Sequence, residues 1–204
     1  MKSYFKFLSR NAAYTIINVL GLSLGLMFAI IIGAYVWQET TLDKQQTKAD
    51  RIYLLGDKSY GGFSSGSHWR AGWHLVDQFP EIESSCAISF ATDDMHPEGG
   101  ELNHPNFLLV DSTFFKFFDF KLLQGDRRTA LNEVNSVVIT PQYAKECFGD
   151  ADPIGKAIVW NHQDVQTSNL IVTGIFEPLE HTLFETDKII DMIMRFENNV
   201  YVSD

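Results

Sequence analysis

Cysteine is scarce in this sequence, and that scarcity excludes several classes of protein. The chain has two cysteines, Cys86 and Cys147, in 204 residues. Two thiols cannot form the several bridges of a small secreted scaffold, and they are too few for a cysteine-based structural zinc site. A single bridge between Cys86 and Cys147 stays open at this level.

Basic residues are also few beyond the N-terminus. Three of the 16 basic residues, Lys2, Lys6 and Arg10, precede residue 39, whereas all 26 acidic residues lie at or after it. The whole chain has a formal charge of −10, so residues 39–204 alone carry −13. This sign disfavours nucleic acid or an anionic lipid surface as the partner of that part.

Formal charge is missing altogether from the 28 residues between Arg10 and Glu39. Twelve of them are Leu, Ile, Val or Phe, and a helix needs roughly 20 apolar residues to cross a hydrocarbon core. Tyr35 and Trp37 are typical of the aromatic belt at a membrane interface. We therefore predict a transmembrane helix over residues 11–38. A cleaved secretory signal is the alternative, but its apolar region is usually only about 7–15 residues long.

Small residues recur at every fourth position of this span. Gly21, Gly25, Ala29 and Gly33 fall on one stripe of a helix, where small side chains allow a second helix to approach closely. The stripe predicts packing against another membrane helix. The alternative is that glycine is simply common in membrane spans.

Residues 1–10 are predicted to form a short amphipathic helix in the lipid headgroups. Their apolar residues follow the i, i+3, i+4, i+7 spacing of one helical face, and their basic residues occupy the rest. Lys44, Lys48, Arg51 and Lys58, soon after the span, match the basic count of the N-terminal side, so the positive-inside rule hardly decides the orientation. The apolar face consists of Met1, Tyr4, Phe5 and Leu8.

Residues 39–204 are long enough to form one globular domain with its own core. Helix and strand patterns alternate along them, which predicts an α+β fold without internal repeats. Helices are expected at 67–79 with Ser67 as cap, at 112–118 with Ser112 as cap, and from Thr140 to just before Gly149. The strand candidates are residues 51–55, 86–90, 106–110, 134–139, 157–160, 170–176 and 189–196, with polar loops at 56–67 and 92–105.

Two glycine-containing segments invite catalytic interpretations that their contexts disfavour. Residues 62–66 match G-x-S-x-G around Ser64, but the preceding 56–61 segment is a polar loop rather than the strand that a nucleophile elbow requires. Gly149 and Gly155 are separated by five residues, and Ala157 stands where a Walker A motif needs Ser or Thr. We therefore predict no catalytic residue, no cofactor site and no enzymatic activity in this chain.

Metal and ligand signals are weak as well. The paired acids Asp93 and Asp94, near His96 and Glu98, are interpreted as a solvated acidic loop, and we predict no metal site. A stripe formed by Trp69, Trp73 and Val76 favours core packing over a ligand platform. The six histidines do not show the H-x-x-x-H or H-x-H spacing of metal ligands; they are His68, His74, His96, His104, His162 and His181.

Several short segments of the sequence, taken in order, form a recognisable pattern. They begin with residues 18–25 in the membrane span and with 49–53, Ala-Asp-Arg-Ile-Tyr. The most specific run leads from Thr140-Pro141 through Phe148-Gly149-Asp150 to Pro153-Ile154-Gly155-Lys156. The remaining segments are Val110-Asp111, Phe114-Phe115, Phe117-Phe118, Gly125-Asp126 and Val172-Thr173-Gly174-Ile175-Phe176.

In order and spacing these segments resemble the MacB/FtsX-like permeases of bacterial ABC transporters. The resemblance implies an inner-membrane protein whose N-terminus is cytoplasmic and whose residues 39–204 form a MacB-like periplasmic core domain, with a porter-like α+β lobe and part of a β-rich lobe. It further implies a separate cytoplasmic ATPase, a second permease copy or homodimer partner, and contact with membrane lipid. The motif residues with an implied structural role are Asp50, Arg51, Tyr53, Phe148, Gly149, Pro153 and Gly155.

The resemblance also implies a mechanical role, in which ATPase-driven motion passes through the membrane helix to a periplasmic domain that exports or relays substrate. The chain departs from the family at 178–187, where His181-Thr182 replaces a Ser-His or Thr-His pair. The family adds three further membrane helices, so we expect a fragment that is incomplete at its C-terminus. The alternatives are a membrane-anchored sensor with Tyr60, Phe63, Trp69 and Trp73 around a pocket, and an anchored hydrolase using Ser64.

Overall fold

The computed structural model describes residues 12–41, 46–56, 58, 66–162, 166–179 and 189–198. The predicted headgroup helix at 1–10, the Ser64 loop with Tyr60 and Phe63, and the His181-Thr182 pair lie outside these residues. The chain is divided into two compact units, Met1–Leu42 and Asp43–Asp204. They are described separately.

The first unit contains one long helix, α1, at Ala12–Thr41. Within its segment Ala12–Gln38, the most apolar 18-residue window has a mean hydropathy of 2.4, and that window is entirely unburied. Exposed Leu, Ile and Phe side chains surround the helix on all sides, with Leu22 as an example at 70% exposure. A helix that is apolar all round is unfavourable in water and favourable in lipid. By length and composition, α1 is therefore a candidate membrane span.

The second unit is built on one mixed sheet with short helices between its strands. The helices are α2 (Ala71–Gln78), α3 (Phe114–Phe117) and α4 (Pro141–Phe148), with 3-10 turns at Ala49–Arg51 and Phe196–Asn198. The strands are β1 (Ile88–Thr92), β2 (Met95–Pro97), β3 (Asn106–Val110), β4 (Leu122–Gln124), β5 (Ser136–Ile139), β6 (Ala157–His162), β7 (Gln166–Phe176) and β8 (Met192–Arg195). The prediction of an α+β domain preceded by an apolar helix is confirmed.

The strand order of the sheet is β1-β3-β8-β5-β7-β6-β2, and β4 pairs with β7 outside this path. The pairs β3–β8 and β5–β7 are parallel, and the other pairs are antiparallel. Strand β8, from near the end of the chain, therefore lies between β3 and β5 from its middle.

Strand β7 has 11 residues and three partner strands. Its first half pairs with β6, and its second half pairs with β5 on one edge and β4 on the other. The register to β5 shifts between Val172 and Gly174, which leaves Thr173 as an extra residue in a bulge. The Thr173 hydroxyl lies 2.7 Å from the carbonyl oxygen of Ala130 and 3.1 Å from that of Val137. The bulge thus ties β7 to the chain that leads into β5.

The central strands are buried on both faces. In β3, Phe107 and Leu109 belong to one hydrophobic cluster, whereas Leu108 and Val110 belong to another, because strand side chains alternate between faces. This explains why β3 is an uninterrupted apolar run rather than an alternating one. We call the cluster on the Leu108 face the phenylalanine core; it consists of Leu108, Val110, Phe114, Phe115, Phe118, Phe120, Ala130, Leu131, Val138, Phe176, Ile190 and Ile193.

The opposite face is covered mainly by α4. Tyr143 and Ala144 of this helix join the cluster that contains Phe107. Thr140 caps the helix by accepting a hydrogen bond from the Tyr143 N–H at 3.2 Å, and Gly149 ends it with a φ of +62°. The predicted start and end of this helix are therefore confirmed.

Four local predictions are wrong. Residues 51–55 form no strand: a 3-10 turn ends at Arg51, Tyr53, Leu54 and Leu55 are exposed, and no described strand pairs with this backbone. Ser67 does not cap α2, because a turn at His68–Ala71, with His68 Nδ1 accepting from the Arg70 N–H, precedes the helix. Ser112 does not cap α3, because the N-cap position is Thr113, whose side chain makes no capping hydrogen bond. The predicted loop at 92–105 contains strand β2.

Candidate functional site

The small-residue stripe on α1 is open to approach. A Cβ added at Gly21, Gly25 or Gly33 would meet no described atom within 4 Å. Packing within the described chain therefore gives no reason for glycine at these positions. Association with another helix remains a prediction for the stripe, which includes Ala29.

The motif residues Asp50, Arg51 and Tyr53 lie at the start of the outer domain. Asp50 and Arg51 form the 3-10 turn, and Arg51 donates to Glu83 Oε2 at 2.6 Å. Tyr53 is 86% exposed. Ile52, which lies between Arg51 and Tyr53 in the sequence, packs against the phenylalanine core. This first motif group thus belongs to one face of the sheet.

The motif residues Phe148, Gly149, Pro153 and Gly155 lie together at the end of α4. Gly155 has a φ of +79° and donates its N–H to the Val172 carbonyl at 2.8 Å, which fixes the turn against β7. Because of this turn, the side chain of the next residue, Lys156, lies over the Phe148 ring, with Nζ 4.9 Å from the ring centroid. Phe148 packs on the Phe107 cluster, so this group belongs to the other face of the sheet.

Three hydrogen bonds join the beginning of the outer domain to the loop after α3. Gln46 is 6% exposed, and its Oε1 accepts from the Asp119 N–H at 2.6 Å. Thr47 donates its backbone N–H at 2.9 Å and its hydroxyl at 2.5 Å to Asp119 Oδ2. The Thr47 hydroxyl and then its N–H lower the pKa of Asp119, burial opposes them, and Arg127 adds to the lowering. We call Gln46, Thr47 and Asp119 the entry joint.

Arg127 stabilises the loop that carries Asp119 of the entry joint. One guanidinium nitrogen of Arg127 donates to the carbonyl oxygens of Phe115 at 2.7 Å and Phe118 at 2.5 Å. The same nitrogen lies 3.6 Å from Asp119 Oδ1. Phe118 and Phe120, on either side of Asp119, are 8% and 7% exposed. The Asp119 carboxylate is therefore held on a loop that is itself anchored in the core.

The two cysteines are free thiols in different surroundings. Cys86 packs against the phenylalanine core, whereas Cys147 packs against the Phe107 cluster. Burial, together with the charge of Asp111, raises the pKa of Cys86 far above its ordinary value. Burial also raises the pKa of Cys147. Both effects disfavour the thiolate, which is the reactive form.

Tyr143, Asn103 and Cys147 form a polar network beside the Phe107 cluster. The Tyr143 hydroxyl donates to Asn103 Oδ1 at 2.8 Å, and Asn103 Nδ2 donates to Cys147 Sγ at 3.5 Å. Tyr143 is 1% exposed, and burial raises its pKa. The network satisfies buried polar atoms and fixes α4 on the sheet.

The acidic loop around Asp93 has structural partners. Asp93 Oδ2 accepts from Trp160 Nε1 at 2.9 Å, and Asp94 Oδ1 lies 2.6 Å from His104 Nδ1. Among the described residues, no group of three or more His, Cys, Asp and Glu side chains could hold a metal ion. Trp69 stacks on Phe196 and packs against the core, as predicted, while Trp73 meets its edge and is 40% exposed.

Three solved structures are similar to parts of this chain. A domain assigned to a permease protein from Porphyromonas gingivalis matches with a TM-score of 0.52 and 20% identity, over 64% of this chain and 53% of that one. The extracellular domain of the noncanonic ABC-type transporter YknZ from Gram-positive bacteria has a TM-score of 0.40 and 15% identity, over 55% and 54% of the two chains. The periplasmic region of MacB from Actinobacillus actinomycetemcomitans has a TM-score of 0.38 and 15% identity, over 59% and 61%.

This chain thus spans 53–61% of the length of these structures. No curated protein matches it significantly. The family model of the MacB-like periplasmic core domain matches residues 15–203, which begins inside α1 and continues through the outer domain. The chain therefore belongs to the MacB-like periplasmic core domain family.

Proposed function

We propose that this chain is the N-terminal portion of a permease subunit of a bacterial ABC transporter. In this role α1 crosses the inner membrane with its N-terminus in the cytoplasm, and the outer domain lies in the periplasm. A separate ATPase subunit binds and hydrolyses ATP. Its motion passes through the membrane helices to the outer domain, which exports or relays substrate.

One observation carries the proposal: the family match includes most of α1 as well as the domain that follows it. The helix supplies a candidate span of 27 residues. A membrane helix continuous with a folded outer domain is the minimum that a transmitter of motion needs.

A second copy of the permease is the proposed partner of α1. The open stripe from Gly21 to Gly33 supports close helix contact, because a helix without side chains on one stripe allows a shorter interaxial distance. The net charge of −13 on residues 39–204 supports an outer domain that stands clear of anionic headgroups.

The test is extraction of the native, full-length gene product from its host in mild detergent, followed by identification of the co-purifying proteins by mass spectrometry. A membrane protein of similar size and with the same affinity tag serves as the control. A stoichiometric ATPase that is absent from the control would support the proposal. Recovery of a kinase, or of no partner, would contradict it and favour a membrane-anchored sensor.

A further inference from the structure

We propose that the entry joint is the point at which motion of the membrane helix enters the core of the outer domain, with Asp119 as its central residue. This inference rests on the proposed function and adds the route of the motion to it. Four features of the described residues support the role.

The first feature is position along the chain. α1 ends at Thr41, and Gln46 and Thr47 follow it within six residues. Residues 46 and 47 are the first described residues of the second unit. Any displacement that travels along the chain from the helix therefore reaches this pair before the rest of the described domain.

The second feature is the character of the bonds. Asp119 receives two hydrogen bonds from Thr47 on one carboxylate oxygen, and its own N–H donates to the buried Gln46 side chain. Hydrogen bonds to an ionised acceptor are shorter and stronger than neutral ones. Backbone and side chains on both partners are thus engaged, so displacement of residues 46 and 47 strains the loop at Asp119.

The third feature is the contrast with the neighbouring attachment. Arg51 also binds the domain, through Glu83 at 2.6 Å, but these side chains are 72% and 69% exposed. Exposed pairs of this kind contribute little to stability. The Arg51–Glu83 pair therefore provides a matched control: it ties the same segment to a different part of the domain.

The fourth feature is what lies behind Asp119. Its neighbours Phe118 and Phe120 belong to the phenylalanine core, together with Leu108 of β3, Val138 of β5 and Ile193 of β8. Arg127 binds the carbonyl oxygens of the same loop. Because close-packed interiors transmit strain, displacement of this loop reaches the three central strands.

The first part of the experiment tests the attachment itself. The full-length protein is placed in lipid nanodiscs, and hydrogen exchange of the Thr47 amide is followed by mass spectrometry with fragmentation that isolates this amide. Asp119→Ala should accelerate its exchange by about tenfold to a hundredfold, because the amide loses a charged acceptor. Glu83→Ala should leave the rate unchanged. Unchanged Thr47 exchange in Asp119→Ala would overturn the joint.

The second part tests transmission in the native complex with its ATPase. Exchange of residues 114–120 is compared with and without a non-hydrolysable ATP analogue and magnesium. The analogue should change their exchange in the unaltered protein and in Glu83→Ala, but not in Asp119→Ala. Thr47→Val removes the hydroxyl donor and keeps Asp119, so it should reduce the response. This variant replaces Asp119→Ala in the experiment if Asp119→Ala does not fold.

The outcomes separate the two proposals. A loosened Thr47 amide with an intact nucleotide response would overturn the transmitting role and leave the proposed function standing. Absence of an ATPase from the complex would overturn the proposed function and the transmission with it. A complex that contains the ATPase but shows no nucleotide response at residues 114–120 in the unaltered protein would overturn the transmission alone. The exchange of Thr47 would still decide whether Asp119 holds the beginning of the domain.

Discussion

The backbone of Gly125 passes so close to Thr173 that a Cβ added at Gly125 would lie 2.6 Å from the Thr173 carbonyl oxygen. Gly125 directly follows β4 and has a φ of +94°, which L side chains rarely adopt. Thr173 is the bulged residue of β7. The contact explains how β4 leaves the sheet at the bulge, and why residue 125 has no side chain.

Gly125→Ala should therefore destabilise the outer domain by about 3 kcal/mol, because backbone strain and a clash with a backbone atom act together. Gly99→Ala is the control: Gly99 also has a positive φ, of +75°, but a Cβ there would meet nothing within 4 Å. Its cost should be only about 1 kcal/mol. Urea unfolding of the purified proteins measures both, and equal losses would contradict the importance of the contact.

Local signals predicted the parts of the fold that depend on local chemistry. The helix after Thr140 has a hydroxyl cap, a proline at the first helical position and a glycine at its end, and all three act as expected. Strand β3 matches its predicted bounds because its apolar run is long enough to be buried on both faces. The long uncharged run predicted α1 because a helix satisfies its own backbone hydrogen bonds and needs no distant partner.

The errors about strands concern elements that depend on distant residues. Residues 51–55 have the composition of a strand, but a strand requires a neighbour, and the described sheet offers none there. The short strands β2 and β4 have three residues each and exist because β6 and β7 pair with them. The entry joint was not predicted for a similar reason: Thr47 and Asp119 are 72 positions apart. Its one local signal is an acid between two phenylalanines.

Acid should weaken the fold through Asp119. Its pKa is lowered in the folded state, first by the Thr47 hydroxyl and then by the Thr47 N–H. The ionised carboxylate therefore stabilises the fold above the ordinary pKa of 3.8, and this contribution disappears as the pH falls below 3.8 through the folded-state value. Asp119→Asn should flatten the acid-side loss of stability, measured by urea unfolding from about pH 5 to about pH 2.

Asp191 should have the opposite effect. Burial raises its pKa, the Asn106 N–H opposes burial, and the charge of Glu146 adds to the rise. Protonation of Asp191 is therefore easier in the folded state, so its contribution improves as the pH falls through its folded pKa toward 3.8. Asp191→Asn should make the acid-side loss steeper in the same titration. Curves that move in the same direction for both substitutions would contradict these assignments.

Tyr143→Phe should reduce the free energy of unfolding by about 1 kcal/mol, because it removes one buried hydrogen bond and leaves Asn103 Oδ1 without its donor. The ring itself remains, so no cavity is formed. Tyr53→Phe makes the same chemical change at a position that is 86% exposed, and it should have little effect. Urea unfolding monitored by tryptophan fluorescence compares the two. A cost at Tyr53 equal to that at Tyr143 would argue against the buried network.

Gly25→Leu should weaken association between membrane helices, because a leucine side chain in the middle of the small-residue stripe separates the two backbones. Ser23→Leu adds a side chain of the same size about 200° around the helix from Gly25, so it should leave association unchanged. A membrane reporter of helix association fused to residues 11–41 measures both, and unfolding of the outer domain in the full chain should be the same for each. Equal signals from Gly25→Leu and the unaltered helix would remove the stripe as the contact face. Equal losses from both substitutions would show that added bulk, rather than its position on the stripe, weakens the association.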